Sequence, residues 1–294
     1  MTEPNPHPTE PELIRVADGV AIAATLVGDG PVVLLNGGLG MPAAVWPFTG
    51  IPDALTAAGF SVITYSARGL KPSSAPPAPY TVPQMADDAI AVLDHFGVHE
   101  AIVAGYSMGC YVTQALVSQW HGRVLGVAMM AGLRSSAIGE IVNEMELGLI
   151  DRLGDLPEAV TVFEQLMTTL TPDQLVDDDA VRTWRKLLTS GDTSWAGADG
   201  LRGQLSASQS WMLAKEPTPE RLAAITAPTL VLSYEHDVFF PPAGGRAAAE
   251  HLPDVEFHEL DGQAHGGVML DPQRRAMSML TAFCTRVRGG AAAD

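Results

Sequence analysis

The sequence predicts an α/β protein, with a mostly parallel β-sheet covered by helices on both faces and a helical cap inserted between two strands. Short apolar, β-branched runs alternate with helical patterns in residues 31–130 and again after residue 228. Such alternation is typical of a parallel sheet. Residues 135–221 show helical stretches and no convincing strand, which indicates the cap.

The strands are predicted from runs that are rich in β-branched residues. The first two runs are separated by Asp18 and Gly19, which favour a tight hairpin turn. The run at residues 31–35 is continuously apolar, as expected for a strand buried on both faces. The predicted strands span residues 13–17, 20–27, 31–35, 61–65, 101–104, 124–130, 228–234 and 255–260.

The helices are predicted from apolar residues that recur with helical spacing. In the helix at residues 83–96, Asp87 and Asp88 are expected on the outside. Gly59 is expected to end the first helix. In the core the predicted helices span residues 43–58, 83–96, 108–120, 244–252 and 272–287, and in the cap residues 138–153, 158–170, 173–188 and 200–213.

The length of 294 residues allows one large core with an inserted subdomain. We predict a core of residues 13–134 and 222–288, and a cap of residues 135–221. Residues 1–12 are rich in proline and glutamate and have no basic start or apolar segment. This pattern favours a disordered tail over a signal peptide, and residues 289–294 are expected to be a loose end.

The net charge of −17 bears on possible partners. Nucleic acids and anionic membranes repel such a chain, and no apolar run approaches the ~20 residues that span a bilayer. Cys110 and Cys284 are expected to be buried free thiols, which fits a reducing compartment. We therefore expect a cytoplasmic protein with a small-molecule substrate, no metal and no cofactor. The oligomeric state stays open.

Ser107 is the candidate nucleophile, within residues 105–109, Gly-Tyr-Ser-Met-Gly. These residues join a predicted strand to a predicted helix. A turn this sharp brings the residues two before and two after the serine together, so both must be glycine. The serine then has strained backbone geometry and its hydroxyl is exposed at the carboxyl edge of the sheet.

A serine hydroxyl needs a neighbouring imidazole to accept its proton. Among eight histidines we select His265, which lies in a loop directly after the last predicted strand. Loops at the carboxyl ends of parallel strands are where such sheets carry their sites. The base needs a carboxylate to orient it, and Asp237, shortly after the strand ending at Tyr234, is the first choice. Glu235 is its competitor.

Two backbone N–H groups are predicted to stabilise the oxyanion. The N–H of Met108 is one, because it is free at the start of a helix. The second comes from the glycine-rich loop after the strand at residues 31–35. Gly38 is the first choice there, and Leu39 is the next.

On these residues the chain resembles the α/β-hydrolase superfamily, in particular its capped esterases, lactonases and proline iminopeptidase-like enzymes. The order serine, aspartate, histidine is that of the α/β-hydrolase fold, and the resemblance extends over residues 13–287. It implies that fold and serine chemistry without a cofactor. Asn36 stands where the family often has histidine, and Ser66 where aspartate is common. The motifs that carry the resemblance are residues 105–109, 36–38, 65–69 and 262–265.

We predict a serine esterase of the carboxylic ester hydrolase class, which cleaves an ester or lactone of a small, largely apolar molecule through an acyl-enzyme. A proline iminopeptidase-like enzyme, a carbon–carbon bond hydrolase and a non-catalytic binding protein are the alternatives. Glu140, Glu144 and Glu146 are expected on a solvated helix face rather than in a site for a peptide amino terminus. The esterase is therefore favoured over the peptidase.

The substrate pocket is predicted from large side chains near the oxyanion loop and in the cap. For each of the tryptophans, packing between helices is an equally good interpretation. The predicted substrate contacts are Leu39, Trp46, Trp184 and Trp211.

Overall fold

The computed structural model describes residues 10–189 and 194–291. The predicted N-terminal tail lies largely outside these residues, and Glu12 already belongs to the first strand. At the other end, residues 289–291 continue the last helix and are not a loose end. Residues 292–294 lie outside the described part of the chain. Within the described segments, no helix is long and apolar enough to cross a membrane.

Eight strands form one sheet. They are β1 Glu12–Ala17, β2 Val20–Val27, β3 Val32–Asn36, β4 Ser61–Ser66, β5 Ala101–Tyr106, β6 Val124–Met130, β7 Thr229–Tyr234 and β8 Val255–Leu260. Their order in the sheet is β1-β2-β4-β3-β5-β6-β7-β8. β2 is antiparallel to β1 and β4, and the other neighbours are parallel. The predicted mostly parallel sheet is confirmed.

The core helices cover both faces of this sheet. The predicted helix at residues 43–58 is divided at Gly50, whose φ of 71° suits only glycine well. The core helices before the cap are α1 Trp46–Thr49, α2 Ile51–Ala57, α3 Val82–His95 and α4 Met108–Gln119.

The predicted helical insertion is confirmed and lies between β6 and β7. Residues 173–188 form two helices rather than the single predicted one. The insertion comprises α5 Ala137–Leu153, α6 Glu158–Thr169, α7 Pro172–Leu175, α8 Asp178–Leu188 and α9 Ala198–Leu213. It is followed by α10 Pro219–Ala223, α11 Pro242–Ala249, α12 Gly267–Leu270 and α13 Arg275–Ala291.

The hydrophobic core has two layers, one on each face of the sheet. Successive residues of β3 alternate between them, as a strand requires. Leu34 packs into the layer beneath α3 and α4, whereas Val33 and Leu35 pack into the layer beneath α2 and α13. Because both faces are covered, the exposed edge at the carboxyl ends of the strands is the place left for a site.

A buried ion pair ties α3 to the loop after β4. Asp88 accepts hydrogen bonds from Arg68 Nε at 2.6 Å and from Arg68 Nη2 at 2.7 Å. The two side chains are only 5% and 10% exposed. The predicted position of Asp88 on the outside of the helix is therefore wrong, whereas its neighbour Asp87 is exposed as predicted.

Replacing Asp88 with Asn is expected to lower the free energy of unfolding by about 3 kcal/mol. The substitution leaves the buried guanidinium of Arg68 without a compensating charge. Urea denaturation measures the change, and Asp87→Asn on the exposed side of the same helix is the matched control, with an expected change below about 0.5 kcal/mol. Equal stabilities of the two variants would contradict a structural role for the pair.

Candidate active site

Ser107 lies at the turn between β5 and α4. Its φ of 53° and ψ of −125° are strained for a residue with a side chain. A Cβ atom on Gly105 would lie 2.4 Å from the carbonyl oxygen of Gly109, and one on Gly109 would lie 2.1 Å from the carbonyl oxygen of Asn36. The predicted need for glycine at both positions is confirmed.

The structure brings the three predicted side chains together at the carboxyl edge of the sheet. Ser107 Oγ lies 2.9 Å from His265 Nε2, and His265 Nδ1 lies 2.8 Å from Asp237 Oδ2. With the imidazole proton on Nδ1, the ring donates to the carboxylate and accepts from the serine hydroxyl. This arrangement can activate Ser107 as a nucleophile.

Backbone donors fix the carboxylate of Asp237. Its Oδ1 atom accepts hydrogen bonds from the N–H groups of Phe239 and Phe240, each at 2.9 Å, and its side chain has no exposed surface. The competing Glu235 instead accepts a hydrogen bond from the N–H of Gly262 at 2.7 Å. Glu235 therefore stabilises the loop that carries the imidazole but does not contact the ring.

Aromatic rings surround His265. Phe240 and Tyr106 stack on it with ring centroids at 5.6 and 5.3 Å, and Phe239 meets it edge-on at 5.4 Å. The Tyr106 hydroxyl donates a hydrogen bond of 2.8 Å to the carbonyl of His265. Sequence analysis did not identify these rings, although two consecutive phenylalanines shortly after Asp237 are a visible signal.

The predicted oxyanion donors lie beside Ser107. Met108 is the first residue of α4. A Cβ atom on Gly38 would lie only 3.2 Å from Ser107 Cβ, so the backbone of this loop passes directly over the serine. Neither N–H group donates to an acceptor among the described residues. The next residue, Leu39, lines the adjoining cavity.

Asn36 supports the oxyanion loop through buried hydrogen bonds. Its Nδ2 donates to Thr113 Oγ1 at 2.8 Å, and its Oδ1 accepts from the Tyr65 hydroxyl at 2.6 Å. Burial raises the pKa of Tyr65, so the phenol stays a donor. Ser66 accepts a hydrogen bond from the N–H of Ala43 at 3.1 Å. Asn36 and Ser66, the two departures from the family pattern, therefore both help to hold this loop in place through hydrogen bonds.

The cap also contacts this loop, through Gln204 on α9. Its Oε1 accepts from the N–H of Gly40 at 3.0 Å, and its Nε2 donates to the carbonyl of Arg68 at 2.9 Å. The side chain is fully buried. One residue of the cap therefore joins the oxyanion loop to the loop after β4.

On the opposite wall, the end of α6 contacts the loop of the imidazole. The N–H groups of His265 and Gly266 donate to the carbonyls of Thr168 and Thr169, each at 3.3 Å. The cap is therefore hydrogen-bonded to both the oxyanion side and the histidine side of the site.

A cavity of about 780 Å³ lies between the cap and Ser107. Leu39 and Trp184 line it as predicted, and so does Trp195. Trp46 and Trp211 do not. Trp46 is fully buried in the core layer beneath α2 and α13, and Trp211 stacks on Tyr111 with ring centroids 6.2 Å apart. For these two tryptophans, packing was the correct interpretation.

A pair of carboxyl groups lies on the cap wall of this cavity. Glu146 is only 7% exposed, so its predicted place on a solvated face is wrong. Glu144 is exposed, and Glu140 pairs with Lys215 at 3.0 Å. Burial, followed by the charge and hydrogen bond of Glu164, raises the pKa of Glu146 to about 9.

Glu164 belongs to the same pair. Burial raises its pKa, an effect that its hydrogen bond with Glu146 and the nearby imidazole of His265 only partly offset. At neutral pH Glu146 therefore keeps its proton, and its O–H group is the donor in the hydrogen bond with Glu164.

Replacing Gln204 with Met is expected to lower kcat by about 10- to 100-fold with little change in KM. The loop that carries the Gly38 N–H loses its hydrogen bond to Gln204, and small displacements of groups that take part in catalysis reduce rates strongly. Steady-state kinetics on an aryl ester measure the effect, with Ser206→Ala on the same helix as control. A rise in KM at unchanged kcat would indicate a role in substrate binding instead.

Replacing Glu146 with Gln is expected to flatten the decline of stability as pH rises. The folded-state pKa of Glu146 is raised, so its contribution is full below the ordinary value of 4.5 and is lost as the pH rises through about 9. Thermal unfolding between pH 5 and pH 9.5 measures the difference, at about 1.4 kcal/mol per pH unit at most. The Glu144→Gln control should follow the wild type, and identical slopes for all three proteins would argue against a shared proton.

Residues 30–272 match the family model of the alpha/beta hydrolase fold. A Mycobacterium tuberculosis protein with the provisional name non-heme bromoperoxidase BpoC is 28% identical over 262 residues, 88% of this chain and 95% of that protein. Its crystal structure has a TM-score of 0.79 at 24% identity, covering 96% and 99% of the two chains.

Two further proteins are similar over most of their length. Rhodomycin D methylesterase DauP of Streptomyces sp. (strain C5) is 27% identical over 275 residues, 87% of this chain and 90% of that protein. A thermophilic esterase from Thermogutta terrifontis has a TM-score of 0.76 at 22% identity, covering 91% and 94% of the two chains. With its family model matched over most of its length, the chain belongs to the α/β-hydrolase fold family.

Proposed function

We propose that the protein is a serine hydrolase that cleaves an ester or lactone of a small, largely apolar molecule through an acyl-enzyme. One observation carries the proposal: Ser107 Oγ lies 2.9 Å from His265 Nε2. Beside it lie the N–H groups of Met108 and Gly38, which have no acceptor in the described part of the chain. This geometry supports the assignment of a nucleophile, its base and two oxyanion donors on the wall of one cavity.

In the first half of the proposed reaction, Ser107 Oγ attacks the substrate carbonyl while His265 Nε2 accepts the hydroxyl proton. Asp237 holds the ring and stabilises the imidazolium. The carbonyl oxygen becomes an oxyanion, which the N–H groups of Met108 and Gly38 stabilise. The C–O bond to the leaving alcohol then breaks, and the alcohol takes the proton from His265.

In the second half, water replaces the alcohol. His265 accepts a proton from the water as its oxygen attacks the acyl carbonyl, and the same two N–H groups stabilise the second oxyanion. Ser107 leaves and recovers its proton from His265. The products are an acid and the regenerated enzyme, and with a lactone they are one molecule, a hydroxy acid.

The cavity and the similar proteins support an ester or lactone of modest size. A volume of about 780 Å³ is in the range for small-molecule sites. Apolar side chains form part of the cavity wall, among them Leu39, Met41, Val142, Met212 and Phe239. Rhodomycin D methylesterase, whose name states ester cleavage, is similar over 87% of this chain.

A fluorophosphonate is expected to label Ser107, and aryl esters are expected to be hydrolysed. Ser107→Ala should abolish both signals, and Asp237→Asn should lower kcat roughly 10³- to 10⁴-fold because the imidazole loses its orienting charge. Intact-protein mass spectrometry and absorbance assays measure these effects, with Glu235→Gln as the matched carboxylate control. A larger loss in Glu235→Gln than in Asp237→Asn would assign the orienting role to the competitor.

Assays with further substrates separate the esterase from the peptidase, the carbon–carbon bond hydrolase and the binding protein. Aminoacyl amides turned over faster than aryl esters would favour a peptidase, and cleavage of a vinylogous diketone with slow ester turnover would favour carbon–carbon bond hydrolysis. The absence of both labelling and turnover would favour a binding protein. Any of these results would overturn the esterase proposal.

A further inference from the structure

The cavity is polar at the end formed by the cap. Glu146 of α5 and Glu164 of α6 line it, as do His265 and Ser107. The Glu164 carboxylate lies close enough to the His265 imidazole for the two to interact electrostatically. One chamber therefore joins this acidic wall to the groups proposed to cleave the substrate.

All formally charged side chains on the cavity wall are acidic in the part of the chain that the structure describes. Asp155 and Glu158 line the cavity in addition to Glu146 and Glu164, and no Lys or Arg lines it among the described residues. A substrate with a carboxylate would find acidic side chains and no Lys or Arg on this wall among the described residues. A substrate with a positive charge would meet opposite charge there.

Two buried polar side chains add unpaired hydrogen-bonding atoms to this wall. Ser208 of α9 is 6% exposed, lines the cavity, and its hydroxyl has no partner among residues 10–189 and 194–291. Asn143 lies one turn before Glu146 on α5 and is 5% exposed. Its Nδ2 donates to the carbonyl of Leu205 at 3.1 Å, whereas its Oδ1 has no partner in the same segments.

These polar groups are available to a ligand in the cavity. Ser208 Oγ and Asn143 Oδ1 have no protein partner in the described segments and line the cavity, where a ligand can reach them. A carboxyl pair away from water costs more than apolar side chains of the same size. None of these atoms is used by the proposed acyl transfer. All four side chains line the same cavity, so a polar, positively charged ligand group would find carboxyl groups and hydrogen-bond acceptors there.

We propose that the wall formed by Asn143, Glu146, Glu164 and Ser208 is a subsite for an organic cation, such as an ammonium group of the substrate. This inference rests on the proposed function and narrows its substrate class to esters or lactones in which an apolar segment joins the cation to the carbonyl. The carboxylate of Glu164 supplies the charge, and Ser208 Oγ and Asn143 Oδ1 are acceptors for N–H or polarised C–H groups. Trp184 and Trp195 line the same cavity, and aromatic rings also attract organic cations.

Two aryl esters of the same shape test this subsite. One is the p-nitrophenyl ester of γ-trimethylammoniobutyric acid, and the other is its neutral isostere, in which carbon replaces the nitrogen. We expect kcat/KM of the wild type to be about tenfold higher for the cationic ester, which corresponds to one favourable charge contact of about 1.4 kcal/mol. The p-nitrophenyl monoester of adipic acid, which is anionic, should be the poorest substrate.

Variants of Glu146 and Glu164 test whether these two residues cause the preference for the cationic ester. In Glu146→Gln/Glu164→Gln the ratio of kcat/KM for the cationic over the neutral ester should fall to about one, and Glu164→Gln alone should lower it at least threefold. Glu144→Gln, on the exposed side of α5, is the matched control and should keep the wild-type ratio. Because the readout is a ratio, a general loss of activity does not affect it, and the single variant serves if the double variant fails to fold.

The two proposals fail in different ways. A wild-type ratio of one or less, or a ratio unchanged in Glu164→Gln and in the double variant, would overturn the cation subsite while ester turnover and labelling of Ser107 persist. Absence of labelling and of turnover for both esters would overturn the serine hydrolase itself.

Discussion

The site depends on one close contact between backbones. Where β5 turns into α4, Gly109 touches the end of β3 so closely that a Cβ atom would lie 2.1 Å from the carbonyl oxygen of Asn36. This contact fixes Ser107 at the tip of a strained turn and sets the loop of Gly38 directly above it. Since β3 and β5 are parallel neighbours that pair Asn36 with Gly105, the sheet itself determines the spacing between Ser107 and the loop of Gly38.

Short sequence patterns were enough to predict those parts of the fold and the site that depend on residues close together in the chain. The alternation of strands and helices gave the sheet and the helical insertion, and the glycines around Ser107 gave the turn. Asp237 and His265 were identifiable because each closely follows a predicted strand, and the carboxyl ends of parallel strands meet at one edge. Their pairing needed no knowledge of the intervening cap.

The remaining features depend on partners that are distant in the chain. Asp88 looks like a surface residue until Arg68 of another loop pairs with it inside the core. Glu146 has the spacing of an exposed helix position, but α6 covers it with a second carboxyl group. The size and apolar character of their side chains indicate that Trp46 and Trp211 are buried. Whether each ring faces a cavity or the core depends on how the helices and strands pack together.

The attachment of the cap at both walls limits how this chain can diversify. Gln204 holds the oxyanion loop from one side, and the carbonyls of Thr168 and Thr169 hold the histidine loop from the other. A cap transplanted from a relative would have to resupply these bonds before any new specificity was useful. Substitutions at cavity-facing positions between these attachments, such as Val142 and Trp184, would reshape the cavity without removing a hydrogen bond that holds the loops of Gly38 and His265.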